Sequence, residues 1–456
     1  MGIWRGFLSF LGLDKSLEQD RSVALKTDVK LTIGLDFGTS TIKCIVFAQI
    51  GDRRRPDRFV LLIDGQSLFP AICWERDGQI FIRERPPGSC LEFRSPKACL
   101  RCEILNEEYP DPTYRESGYS PSAISWAVLS YCIDKIRSQI QERFPADSYT
   151  FDWRKDVFWN MGAPLDGMKH ENLRKNFAGL LWLSVNHGFK WSSCIASSIG
   201  LSELYETVKR NYLPPLQDSD GFVFADNCFI FPEAHVAVNA FLHLGGNLEL
   251  GLYFVCDVGA GTTDIAFFRY APNAERQVIF YETSSTFAGG DDIARELSQL
   301  IGMDLTEANL RIVQGLNKDE LSLLSNSLTH LREKIDAGRR RAFGRAYAKE
   351  QKMKTWKKQF RGATVLGGGS QIGNMRSHCV APLTIGVGYE TIRVDDIPLR
   401  EEILVNATEL HHMAFGLSIP PTQFYDYLRP DEVEPTQYPK PPVYDPFKYG
   451  TPYHDD

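Results

Sequence analysis

Several absences narrow the class of this chain at once. No uninterrupted apolar run reaches the ~20 residues a membrane-crossing helix needs, so a transmembrane protein is not expected. The ten cysteines follow no regular disulfide spacing, and several, such as Cys44, sit in apolar stretches where a thiol acts as a small core hydrophobe. With no secretory signal at the start, a reducing cytoplasm is the expected compartment. The only Cys-x-x-Cys, Cys99 to Cys102, has no second pair and no His-x-x-x-His beside it, which argues against zinc. Net charge is only −7, from 51 basic and 58 acidic residues, so nucleic acid is not the expected main partner. At 43% apolar and 24% charged residues, bulk disorder is excluded, and 456 residues predict two or three cores.

What is present falls into segments. Residues 1–28 form an amphipathic N-terminal segment, with Ile3, Trp4, Phe7, Leu8, Phe10, Leu11 and Leu13 at helical spacing. Val29–Phe37 and Lys43–Ala48 are apolar and β-branched around Gly38-Thr39-Ser40, which predicts a hairpin. Ser120–Arg143 reads as a helix capped by Ser120 and Pro121. Asp156–Met161 is a strand candidate, Asn172–Val185 a helix, and Phe222–Phe231 an apolar stretch leading into a helix over Glu233–Leu244. After Gly245-Gly246-Asn247 a second hairpin is predicted, Leu252–Val258 and Asp264–Arg269, its turn read as slightly longer than the first.

The two hairpins share a pattern: strand, Asp-x-Gly, small hydroxyl residues, strand, with Asp36 and Asp257 as the acids. This suggests an internal duplication and two related lobes, 29–245 and 246–418. Residues 291–361 are rich in Leu, Arg, Lys, Glu and Ala at helical spacing and read as a helical insertion in the second lobe. Strand chemistry returns at Ala363–Leu366 before Gly367-Gly368-Gly369-Ser370. The tail, 419–456, carries nine prolines and six tyrosines. Such a composition is not expected to build a core; it would wrap the surface, stay mobile or dock on a partner.

Facing Asp-x-Gly turns have a chemical logic. Glycine allows the backbone to approach a ligand, and successive N–H groups form an anion-binding concavity that Thr or Ser hydroxyls extend. Carboxylates cannot stand beside phosphate unaided, so Asp36 and Asp257 imply Mg²⁺, held largely through waters.

Five ordered segments carry a resemblance: Ile33–Ser40, Phe231–Ala234, Asp257–Asp264, Ala288–Asp292 and Val365–Ser370, with Met413–Gly416 as a sixth. Together they resemble the actin-like ATPases, and specifically the nucleotide-binding domain of the DnaK-type seventy-kilodalton heat-shock chaperones. The resemblance implies an α/β, two-lobed actin-like (ribonuclease-H-like, duplicated) fold binding ATP or ADP with Mg²⁺. It implies that Gly38, Thr39, Ser40, Gly259, Gly261 and Thr262 hold the β- and γ-phosphates, and that Asp36 and Asp257 organise the metal. Glu233 would position the metal shell or attacking water, with Lys97 orienting that water unless it is a plain surface lysine. Gly289 and Gly290 would approach the nucleotide from the second lobe; Gly368, Gly369 and Ser370 would border adenosine. Arg332, Glu333 and Lys334 are the candidates to clamp the base.

The chain also departs from that pattern. Ser40-Thr41 stands after the first Gly-Thr, Ala260 replaces a glycine, and Leu410 stands where an acid is expected. Nothing after the actin-like core resembles the chaperones' peptide-binding sandwich, so the expected activity is an ATP-binding and hydrolysing switch that acts through a partner protein. A filament-forming actin relative and a small-molecule kinase are the alternatives, the latter without a convincing catalytic base. Between Ala337 and Gly362, ten Lys or Arg face one Glu. This basic segment, Arg339–Arg361, is expected to be a solvated helix face with its aromatics packed on the body, in preference to a nucleic-acid or acidic-protein contact. His411-His412 points two ways on a helix and is not expected to share a metal.

Overall fold

A computed structural model describes residues 26–164, 170–188, 200–218, 222–245, 248–274, 277–350, 359–385, 390–392 and 409–433. Most of the N-terminal segment, Cys194, residues 351–358 of the basic run and the tail beyond 433 lie outside the described residues.

Strands β1 (Thr27–Phe37) and β2 (Thr41–Ile50) form the expected hairpin. β3 (Asp57–Leu61) extends it, and β4 (Phe69–Pro70) pairs the start of β2. A separate small sheet of β5 (Ile72–Arg76), β6 (Gln79–Phe81) and β7 (Leu91–Arg94) leads into α1 (Pro96–Leu105), α2 (Thr113–Ser117) and α3 (Pro121–Arg143). α3 starts as its sequence dictates: Ser120 is extended and its side chain accepts from the Ala123 N–H, with Pro121 in the first turn. β8 (Tyr149–Thr150) and β9 (Val157–Ala163) pair parallel to β1. After α4 (Glu171–Asn186) and α5 (Leu201–Tyr212) come β10 (Gln217–Asp218), β11 (Val223–Ala225) and β12 (Cys228–Pro232). The apolar 222–231 stretch is thus split by a turn at Asp226, whose φ is 52°. The large mixed sheet runs β10-β11-β12-β9-β1-β2-β3, with β4 and β8 at its margins.

α6 (Glu233–Leu244) leads to the second sheet. There β13 (Gly251–Val258), β14 (Thr263–Tyr270) and β15 (Val278–Thr286) are antiparallel. The helical stretch between β15 and the next strand comprises α7 (Gly290–Ile301), α8 (Leu305–Gln314), α9 (Lys318–Leu323) and α10 (Ser325–Glu350). β16 (Phe360–Leu366) returns parallel to β13, followed by a 3₁₀ turn at Gly368–Gln371 and α11 (Met375–Cys379). A hairpin of β17 (Leu383–Ile385) and β18 (Glu390–Ile392), then α12 (His412–Ser418) and β19 (Tyr427–Leu428), complete the described chain. The protein is therefore mixed α/β, and no described helix is long and apolar enough to cross a membrane.

α12 packs against α6, β1 and β2. A Cβ at Gly34 of β1 would stand 2.3 Å from both Ala414 O and Ser418 N, so only glycine lets the helix lie this close. Asn160 of β9 is 0% exposed and donates to the carbonyls of Leu417 and Ile419, satisfying the end of α12.

Two expectations are corrected. The described part of the tail, to residue 433, does build core: β19 pairs parallel with β15, and Tyr427 is 4% exposed among the apolar residues of α6 and the second sheet. Phe424 stacks on Phe231 at 4.1 Å, and Tyr425 O bonds His235 Nε2 at 3.1 Å. Its aromatics bring large apolar areas that proline counting overlooked. On α10, Arg340, Arg341 and Arg345 are exposed as expected, and Phe343 packs edge-on against Phe267. Arg339 is only 1% exposed and donates to the carbonyls of His378 and Ala381, closing the end of α11 instead of facing solvent.

Candidate functional site

The two Asp-x-Gly turns are built alike. The Gly38 N–H donates to Thr41 O at 3.0 Å, and the Gly259 N–H to Thr262 O at 2.8 Å. Phe37 pairs with Ile42 and Val258 with Thr263, so both turns hold four residues and the second is not the longer. Their tips meet: a Cβ on Gly261 would lie 3.2 Å from Thr39 Cγ2.

Equal turns give equal cross-strand partners with opposite charge. Asp36 faces Lys43, whose Nζ donates to Asp36 Oδ2 at 2.7 Å. Asp257 faces Asp264. Lys43 was not singled out by motif, and Asp264 closed the Asp257–Asp264 segment without a role; counting seven residues on from each acid across a four-residue turn would have found both.

Glu233 opens α6 at the end of β12. Lys97, in the first turn of α1, is 6% exposed and its Nζ donates to Glu233 Oε1, so it is not a surface lysine. Ser95, at φ 50°, turns the chain into Pro96 and sets where Lys97 enters.

These groups line a cleft of about 1160 Å³ between the two large sheets. Of the residues that the resemblance assigns to phosphate, metal, water and adenosine, all line it except Gly289 and Ser370. Gly289 is packed on Ala260, whose carbonyl oxygen would be 2.2 Å from a Cβ there. Ser370 donates its hydroxyl to Gly367 O at 2.7 Å. Gly367 itself has φ +83°, and a Cβ there would lie 2.2 Å from Asp257 Oδ1.

Four carboxylates (Asp36, Glu233, Asp257, Asp264) and two ammonium groups (Lys43, Lys97) share the cleft floor. Burial, then the Glu233 and Asp36 charges, push the Asp257 carboxyl up to about 7. Burial and Glu233, with Asp257 adding, push Asp264 up to about 8. Burial pulls the Lys97 ammonium down, but Glu233 and Asp36 outweigh it and hold it above the ordinary lysine value. Asp264 Oδ2 accepts from Thr262 Oγ1 at 3.2 Å, while its buried Oδ1 has no hydrogen-bond partner.

An acid excess of this kind suits a divalent cation. Among the described residues no three His, Cys, Asp or Glu side chains converge tightly enough to cage a metal directly. Cys99 and Cys102 are buried free thiols.

The far end of the cleft differs from expectation. Arg332, Glu333 and Lys334 do not line it; the carbonyl of Arg332 instead meets His378 Nε2 at 3.3 Å. The wall is made by α7 and α8, through Asp291, Arg295, Leu305, Asn309 and Ile312. Helical periodicity located these helices but not which one faces inward. Leu410 lines the floor where an acid was expected, and His412 beside it is buried, its imidazole pulled down to about 4 by burial. No protein-family model matches the chain, and no curated protein matches its sequence.

Proposed function

We propose that this chain is a Mg²⁺-dependent ATP-binding and ATP-hydrolysing switch of the actin-like class, similar to the nucleotide-binding domain of DnaK-type chaperones, acting through a partner protein. One observation carries the reading: two Asp-x-Gly turns of identical register meet at one acid-rich cleft, with a buried Lys97–Glu233 pair beside them. The strand orders support it. β3-β2-β1-β9 and β15-β14-β13-β16 are each an antiparallel trio followed by a parallel neighbour, as expected of related lobes.

In this reading the turn N–H groups and the hydroxyls of Thr39, Ser40 and Thr262 hold the phosphates. Asp36 and Asp257 would hold Mg²⁺, and the ion would supply charge neutralisation when bound. Lys97 and Glu233 orient a water for in-line attack, with no covalent protein intermediate. Phosphates gripped by both turns favour the closed cleft, and their loss favours the open one.

Titration calorimetry with ATP and Mg²⁺ tests the site. Asp257→Ala, or Thr39→Ala with Thr262→Ala, is expected to abolish measurable binding; unchanged binding would overturn the assignment. Sedimentable polymers formed on ATP addition would favour a filament-forming relative over a switch.

A further inference from the structure

Asp291, second residue of α7, stands in the cleft wall and is 7% exposed. Its N–H donates to Ala260 O at 2.7 Å, which pins it to the turn that would cradle phosphates. Asn309 of α8 hydrogen-bonds the carboxylate, yet Oδ1 has no hydrogen-bond partner. A buried acceptor left in this way is costly, and a ligand donor that meets it removes the cost.

The surroundings select the kind of donor. Arg295 and Arg94 attract the Asp291 carboxylate while Asp292 repels it, so two cations already balance these acids. A site balanced in this way offers a phosphate no net attraction. A neutral hydroxyl fits. Position selects which hydroxyl. Gly290 lies where two glycine turns meet, a Cβ there being 3.8 Å from both Gly259 O and Gly369 Cα. One residue beyond the phosphate cradle, a nucleotide presents its sugar, and past it α8 offers Leu305 and Ile312 to a base.

We infer that Asp291, steadied by Asn309, accepts hydrogen bonds from ribose hydroxyls and selects ribonucleoside over deoxyribonucleoside polyphosphates. This rests on the nucleotide reading above and adds a specificity residue to it.

The test is calorimetry in Mg²⁺ with four ligands: ATP, 2′-deoxy-ATP, 3′-deoxy-ATP and inorganic tripolyphosphate. The natural chain is expected to bind ATP about tenfold or more tighter than at least one deoxy analogue. Asp291→Ala should bring that ratio close to one and leave tripolyphosphate affinity as it was, because the backbone bond to Ala260 survives. Asp291→Asn, which keeps one acceptor oxygen, should discriminate to an intermediate degree. Equal binding of ATP and both deoxy analogues by the natural chain would overturn the inference and leave the nucleotide reading standing. So would an Asp291→Ala variant that loses tripolyphosphate as severely as ATP. Failure of the natural chain to bind either ATP or tripolyphosphate would overturn both.

Discussion

Lys97 and Glu233 lie 136 residues apart and meet in the cleft as a buried ion pair flanked by Asp257 and Asp264. Removing the lysine leaves an uncompensated carboxylate among like charges. Lys97→Met is therefore expected to cost about 3 kcal/mol of stability, and Glu233→Gln in the same chain should recover part of it; denaturant unfolding of the two single variants and the double measures this. The same Lys97→Met change should lower ATP turnover about a hundredfold through lost positioning. Gly367 is the other sensitive residue. Its left-handed backbone and its contact with Asp257 leave no room for a methyl, so Gly367→Ala should destabilise the fold by about 2 kcal/mol or more and displace the carboxylate. A thermal melt with and without Mg-ATP distinguishes the two effects.

Among the elements, the segment around β19 is the one the sequence conceals. His235 of α6 is buried against Phe424 and Tyr427, with its Nε2 on Tyr425 O. Burial pulls its imidazole down to about 3, the backbone bond opposing only in part. The unfolded chain, with an ordinary histidine, binds the proton first as pH falls. Stability from this site is complete above about pH 6.5 and declines below it, by about 2 kcal/mol at pH 5. His235→Phe should flatten that slope in denaturant titrations at pH 7 and pH 5; an unchanged slope would show that other groups carry it. Regular elements were legible because their causes are local: α6 begins and ends where its periodicity says, and both hairpins follow from β-branched runs around glycine. What escaped needed long-range partners. Arg339 looks like one charge in a basic run until His378 and Ala381 supply its carbonyls. Asn309, and Asp291 of the Ala288–Asp292 segment, become neighbours in the cleft wall only once α7 and α8 fold over it. Lys43 was within reach of register counting and was hidden only by reading the two turns as unequal.

At the scale of the molecule, α6 touches strands of both large sheets and α12 packs on α6 and on β1, β2 and β9, so a closure of the cleft would have to repack these helices. Mg-ATP is expected to slow proteolysis of the loops at the cleft mouth, such as 106–112, and Asp257→Ala should abolish that protection; equal digestion with and without nucleotide would count against closure. The Asn160 bonds to Leu417 and Ile419 carry a different consequence, one for synthesis. Their partners are separated by 257 and 259 residues, and Gly34 waits still longer for Ala414 and Ser418. The large sheet is translated early, yet the part of it over β1 and β2 that α12 covers stays open until the ribosome has delivered residues 412–418. A nascent chain must therefore carry an apolar, unfinished sheet through most of its own elongation. Chains stalled before residue 410 should be protease-sensitive across β1 and β9, and those stalled with residue 420 well clear of the exit tunnel should not.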